Sequence, residues 1–255
     1  FYIYISIIVS IMDSKRVLKT EISVTTVDDI AYFLIENTAK TVAVCNANTL
    51  VRAYRNLEIE QLVDSFDVKT PDGFPVAKSL KILMKNDQKR VDGYNIFHKT
   101  INYGLEKNVS HYFFGNNEHV VQSMINKLNN LYPGINIAGF YCPPLTETEK
   151  LTDNEYIKDL LKRDPDIVWV SLGFPKQENF IYNIKKMHQV RSNFVGVGAV
   201  FEWVAGTKVK APEWLADFGL EWIFRLVQEP KRLFRRYLID NFLFIIYFIR
   251  QYLGK

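Results

Sequence analysis

Between residues 20 and 205, short apolar runs alternate with stretches of helical spacing. Five runs read as strands: "TVAVCNA" (41–47), "HYFFGNN" (111–117), "INIAGFY" (135–141), "DIVWVSLGFP" (166–175) and "NFVGVGAVF" (193–201). After the second, "EHVVQSMINKLNNLYPG" places Val120, Met124, Ile125 and Leu128 on one helical face and closes on Pro-Gly. Strands alternating with helices predict a parallel sheet with helices on both faces. In such sheets ligands bind beyond the carboxyl ends of the strands. The polar residues Asn46, Asn116, Asn117 and the turn from Gly173 to Gln177 fall there.

Near Gly206 the pattern changes, and strands give way to basic and aromatic helix. Residues 206–255 carry nine Lys/Arg against five Asp/Glu, which matches the +4 of the whole chain. An anionic partner is therefore expected at this end. The last run, "NFLFIIYFIRQYL", is apolar almost all round but shorter than the ~20 residues a bilayer span needs. It reads either as a helix lying in a membrane interface or as a buried core or oligomer-interface element. At the other end, "FYIYISIIVSIM" lacks charge and is also too short to span. Met12 before "DSKR" reads as an initiator, making residues 1–11 upstream sequence; a short surface anchor is the other reading. The chain thus divides into 1–11, an α/β body at 12–205 and an appendage at 206–255.

With 48% hydrophobic and 24% charged residues, the chain is not a disordered one. Its two cysteines, Cys45 and Cys142, imply no disulfide framework and a reducing compartment. The four histidines lack metal-ligand spacing, so no structural metal is expected. "DPD" (164–166) precedes a strand and reads as a turn at the wrong sheet edge for a metal site. Gly196-x-Gly198 matches a dinucleotide fingerprint poorly, because the third glycine is missing. That weakens a nucleotide-sugar oxidoreductase, and a nucleic-acid protein would leave the strand-end turns unexplained.

Taken alone, Asp72 in "KTPDGFPVAK" is either a turn residue or a catalytic carboxylate. Arg90 in "KRVDGYN" is either a solvated surface cation or a ligand contact. "SLGFPKQENFI" is either a capped strand–helix turn or an anion site at a helix N-terminus. Arg225, Arg232, Arg235 and Arg236 fall at helical spacing and suit phosphate.

Together "CNANTLVRAYRN", "PDGFPVAK", "RVDGYN", "FFGNN", "SLGFPKQENFI", "GVGAVFEWVAGTKVKAPEW" and "GLEWIFRLVQEPKRLFRRY" resemble the WecG/TagA/CpsF family of bacterial glycosyltransferases, in family order over residues 20–240. The resemblance implies a Rossmann-like α/β body with a C-terminal helical appendage that associates peripherally with the cytoplasmic face of the bacterial membrane. It implies an inverting transferase that moves an N-acetylmannosamine-type sugar from a UDP donor to an undecaprenyl-diphosphate-linked acceptor sugar, without a metal cofactor. Relatives in polysaccharide clusters use other UDP-hexoses. Nucleic acid is not an expected partner, and self-association stays open. By motif, Asp72 would be the general base, Asn46 would sit by the donor sugar, Gln177 would face the site, and Arg90 would bind near sugar or phosphate. Arg225, Arg232 and Arg236 would neutralise diphosphate charge. The chain departs from the family pattern at Val44, Asn95, Glu202 and Lys210. Val44 removes a hydroxyl beside the sugar.

Overall fold

A computed structural model describes residues 13–144 and 149–254. The 1–11 segment lies outside these residues. Six strands form one fully parallel sheet: β3 (Thr41–Cys45), β4 (Val68–Pro71), β5 (Ser110–Gly115), β6 (Asn136–Tyr141), β7 (Ile167–Ser171) and β8 (Asn193–Gly196). Their spatial order is β4-β3-β8-β7-β5-β6. All five strands expected from the apolar runs are present. Before them, β1 (Ser14–Val17) and β2 (Thr20–Ser23) pair as a small antiparallel hairpin.

Alternation along the central strands builds two cores. Tyr112, Phe114, Val168 and Val170 point to one face, while Phe113, Ile167 and Trp169 point to the other, all buried. Burial on both faces is why these runs are continuously apolar rather than alternating. On the first face pack α2 (Ala47–Arg55), α3 (Leu57–Asp64), α4 (Phe74–Met84), α7 (Asn154–Arg163) and α8 (Lys176–Met187). Phe180 of α8 stacks on Phe114 with ring centroids 4.1 Å apart. The second face is covered by α1 (Val27–Glu36), α5 (Gly93–Gly104), α6 (Glu118–Leu131) and α9 (Val200–Ala205). The four apolar positions foreseen on α6 are all buried there. The "DPD" segment is a turn: Asp166 accepts from the Ser110 amide and hydroxyl, fastening β7 to the start of β5.

Among the described residues after Gly206 the regular elements are helical: α10 (Glu213–Asp217), α11 (Glu221–Gln228), α12 (Pro230–Phe234), a π-helical stretch (Arg235–Asp240) and α13 (Asn241–Tyr252). Helix α13 lies on the body. Phe244 is buried in the first core, with Leu243, Tyr247 and Phe248 packed beside it. The Gln251 side chain accepts from the Leu18 amide and donates to the Arg16 carbonyl, tying the last helix to the first hairpin. Phe242, Ile245, Ile249 and Tyr252 form the opposite stripe, each half or more exposed. The buried-core reading thus holds for one face of this segment, and the other face is bare. No helix among the described residues is long and apolar enough to cross a membrane.

Candidate active site

The carboxyl ends of β3, β4, β5, β7 and β8 open onto a cavity of about 590 Å³. Asn46, Asp72, Gln177, Arg225 and Arg232 all line it, joined by Glu221. The sheet changes winding direction here, because β3 leads outward to β4 while β8, β7 and β5 lie on its other side.

Asp72 follows β4 directly, and its amide donates to the Cys45 carbonyl at 2.9 Å, fixing the turn against β3. Gly73 takes φ +77°, a left-handed conformation that glycine adopts without strain, and α4 begins at the next residue. Burial, followed by the nearby carboxylates Glu221 and Asp92, pushes Asp72 up to about 6, against the opposing pull of Arg90 and Arg225. A carboxyl poised there suits proton abstraction near neutral pH.

Asn46 ends β3 and caps α2, its side-chain oxygen accepting from the Thr49 amide at 3.3 Å. Gln177 is buried, and its carbonyl oxygen accepts the amides of Gly173 (3.2 Å) and Gly198 (3.1 Å). It knits the β7 and β8 turns together and so shapes the cavity floor. Just behind the cavity wall, Gly115 ends β5 beside Ser171. Its φ is +111°, and a Cβ there would sit 2.5 Å from the Ser171 carbonyl oxygen.

The appendage supplies the roof. The Arg225 guanidinium lies over the Trp203 ring at 5.1 Å and near that of Tyr237 at 6.0 Å. Among the described residues no carboxylate pairs with it. Arg232 is held by Glu229, which also receives Lys208 at 3.0 Å. Burial works to raise Glu229, but Arg232 and Lys208 outweigh it and keep the carboxyl below its usual range. Lys208 reaches Glu202 at 2.8 Å as well. Arg90 does not line this cavity. It grips Glu221 at 2.6 Å and Asp92 at 3.6 Å, and its side chain is 12% exposed. The Arg236 side chain lies outside what the structure describes.

Asn46, Asp72, Glu221 and Arg225 also bound a smaller cleft of about 70 Å³, walled by Phe74, Trp222 and Tyr237. Among the described residues no three His, Cys, Asp or Glu side chains are grouped to hold a metal ion. Burial pushes the Cys45 thiol far above its usual range and Cys142 up to about 11, so neither is a ready nucleophile. Val44 lines the cavity, and Asn95 donates to Asp92 at 2.7 Å. Glu221 and Trp203 were not picked out from the sequence; "GLEW" and "FEW" contain them, but their partners lie far away in the chain.

A protein of Bacillus spizizenii, named as an N-acetylglucosaminyldiphosphoundecaprenol N-acetyl-beta-D-mannosaminyltransferase, is 29% identical over 200 residues, covering 78% of this chain and 76% of that protein. One of the same name from Bacillus subtilis is 25% identical over 201 residues, covering 79% and 76%. The family model of the WecG/TagA/CpsF glycosyl transferases matches residues 15–255. The chain belongs to the WecG/TagA/CpsF family of glycosyltransferases.

Proposed function

We propose that this glycosyltransferase moves an N-acetylmannosamine-type sugar from a UDP donor to a sugar carried on undecaprenyl diphosphate, at the cytoplasmic face of the membrane, with inversion and without a metal. One observation carries the reading: a carboxyl with a raised pKa, Asp72, shares a cavity with the appendage guanidiniums of Arg225 and Arg232. The names of the two Bacillus relatives supply the sugar and the acceptor.

In this reading the Asp72 carboxylate takes the proton from the acceptor hydroxyl as its oxygen attacks the anomeric carbon. The bond from that carbon to UDP breaks, and UDP leaves with the electron pair. Attack opposite the leaving group inverts the centre and needs one base on the attacking side. Arg225 faces the growing diphosphate charge; losing one such preorganised donor costs roughly 3–4 kcal/mol. Arg232 adds charge at the cavity edge, and Gln177 holds the floor in place. The exposed stripe of α13, flanked by Arg235 and Arg250, would rest on anionic lipid.

The test is a panel of UDP-sugars with a short-chain lipid-diphosphate acceptor, following UDP release. UDP-N-acetylmannosamine is expected to be the best donor. Because Val44 lines the cavity, other UDP-hexoses belong in the panel. Near-full transfer by Asp72→Asn counts against the base assignment.

A further inference from the structure

Helix α11 carries Arg225 over the cavity, yet none of its eight residues is fully buried. Its apolar residues Trp222, Phe224 and Leu226 are only partly buried, so a polar contact at the helix start helps set which way it faces. Glu221 is its first residue, and Arg225 lies one turn further on the same face. Whatever holds Glu221 aims Arg225.

Arg90 holds it. Its Nη1 donates to Glu221 Oε2 at 2.6 Å, and the two side chains are only 12% and 21% exposed. The body side of the pair is firm. Arg90 Nη2 also faces Asp92, and Asp92 caps α5 by accepting the Tyr94 and Asn95 amides at 3.2 Å. Despite its burial, four carboxylates, Asp92, Glu221, Asp72 and Asp217, keep the guanidinium protonated more firmly than usual. Nearby, Gly219 presses on Phe74 so closely that a Cβ would sit 2.8 Å from the ring, which brings the start of α11 against the start of α4.

We propose that Glu221 is a positioning residue of the active site: its grip on Arg90 seats the appendage helix so that Arg225 and Asp72 share the walls of one cavity. Glu221 also shapes the charge that Asp72 meets. Glu221 and Arg225 face it from α11, Asp92 and Arg90 from the segment entering α5, and the Cys45 thiol from β3. Neutralising Glu221 leaves Arg90 and Arg225 less opposed, so Asp72 releases its proton more readily. Removing one partner of a shielded pair also leaves the other charge uncompensated, which loosens the joint.

The inference rests on the reading of Asp72 as the base, and the experiment separates the two. Full-length wild type, Glu221→Gln, Glu221→Asp, Arg90→Gln and the double variant Glu221→Gln/Arg90→Gln are compared by UDP release between about pH 5 and 9. Glu221→Gln is expected to lower kcat/KM about 10-fold or more, and to move the acidic limb of its pH profile down by up to about 1 pH unit. Amide exchange over 221–228 should quicken, Glu221→Asp should restore much of the rate, and the double variant should be little worse than Arg90→Gln. Additive losses, or a limb that stays where it is in wild type, overturn the proposal. A fully active Asp72→Asn instead removes the base reading, and the mutant cycle with amide exchange then decides the seating role alone.

Discussion

Gln177 reaches across the cavity floor to Gly198, accepting its amide at 3.1 Å, and the same oxygen takes the Gly173 amide. One buried acceptor thus fixes two strand-end turns. Gly196 makes room for it, since a Cβ there would sit 2.7 Å from the Gln177 carboxamide nitrogen. Gln177→Leu keeps the volume but leaves two amides without this partner. It is expected to lower stability by about 1–3 kcal/mol and to lower kcat as the floor loosens. Urea denaturation with steady-state assays checks both; a wild-type midpoint would show that the amides find other partners.

Asp72→Asn should remove transfer while raising stability. The folded state holds the Asp72 proton up to about 6, above the ordinary 3.8. The charged form is therefore the disfavoured one, and its penalty is complete above the folded value and absent below the ordinary one. The variant should gain roughly 1–3 kcal/mol near pH 7.5, and the gain should vanish below about pH 4. Melting curves across that window decide it. In wild type, kcat/KM should fall as pH drops through about 6.

Arg225→Ala should cost about 100- to 1000-fold in kcat. Arg225→Lys should recover only part of this, because an ammonium neither forks onto a diphosphate nor stacks as a guanidinium does on Trp203 and Tyr237. Chelation by EDTA should leave the wild-type rate unchanged. A rate that collapses with EDTA and returns with added divalent cation would remove the metal-free reading.

The two faces of α13 should respond differently. Phe244→Ala empties a core position and should lower stability by about 3–5 kcal/mol. Paired Phe242→Asp and Ile245→Asp alter the exposed stripe and should leave melting nearly unchanged while weakening binding to anionic vesicles. Flotation with vesicles measures the second effect, and unchanged flotation would exclude this stripe as the lipid contact.

Strands β3, β5, β7 and β8 were legible because they are buried on both faces and so read as nearly unbroken apolar runs, while the half-buried edge strand β6 was legible from its apolar composition. Strand β4 was not: its run is broken by Lys69, which is buried with its ammonium donating to the Phe66 carbonyl at 2.8 Å. Asn46 was legible as a polar residue at a strand end, whereas Asp72 stood out through the motif "PDGFPVAK" and not through its place in the sheet. Glu221 was hidden because its meaning comes from Arg90, 131 positions earlier. The arginines of the appendage advertised charge, but not that Glu229 and Lys208 would tether one of them.

The clasp between Gln251 and the first hairpin joins segments 233 positions apart, from Leu18 to Gln251. A hairpin of two four-residue strands is marginal in water without such support. During synthesis that hairpin leaves the ribosome well before the residue that secures it is translated, 233 positions later. Closing so long a loop is entropically slow, so this corner is expected to become native only after the rest of the sheet has assembled.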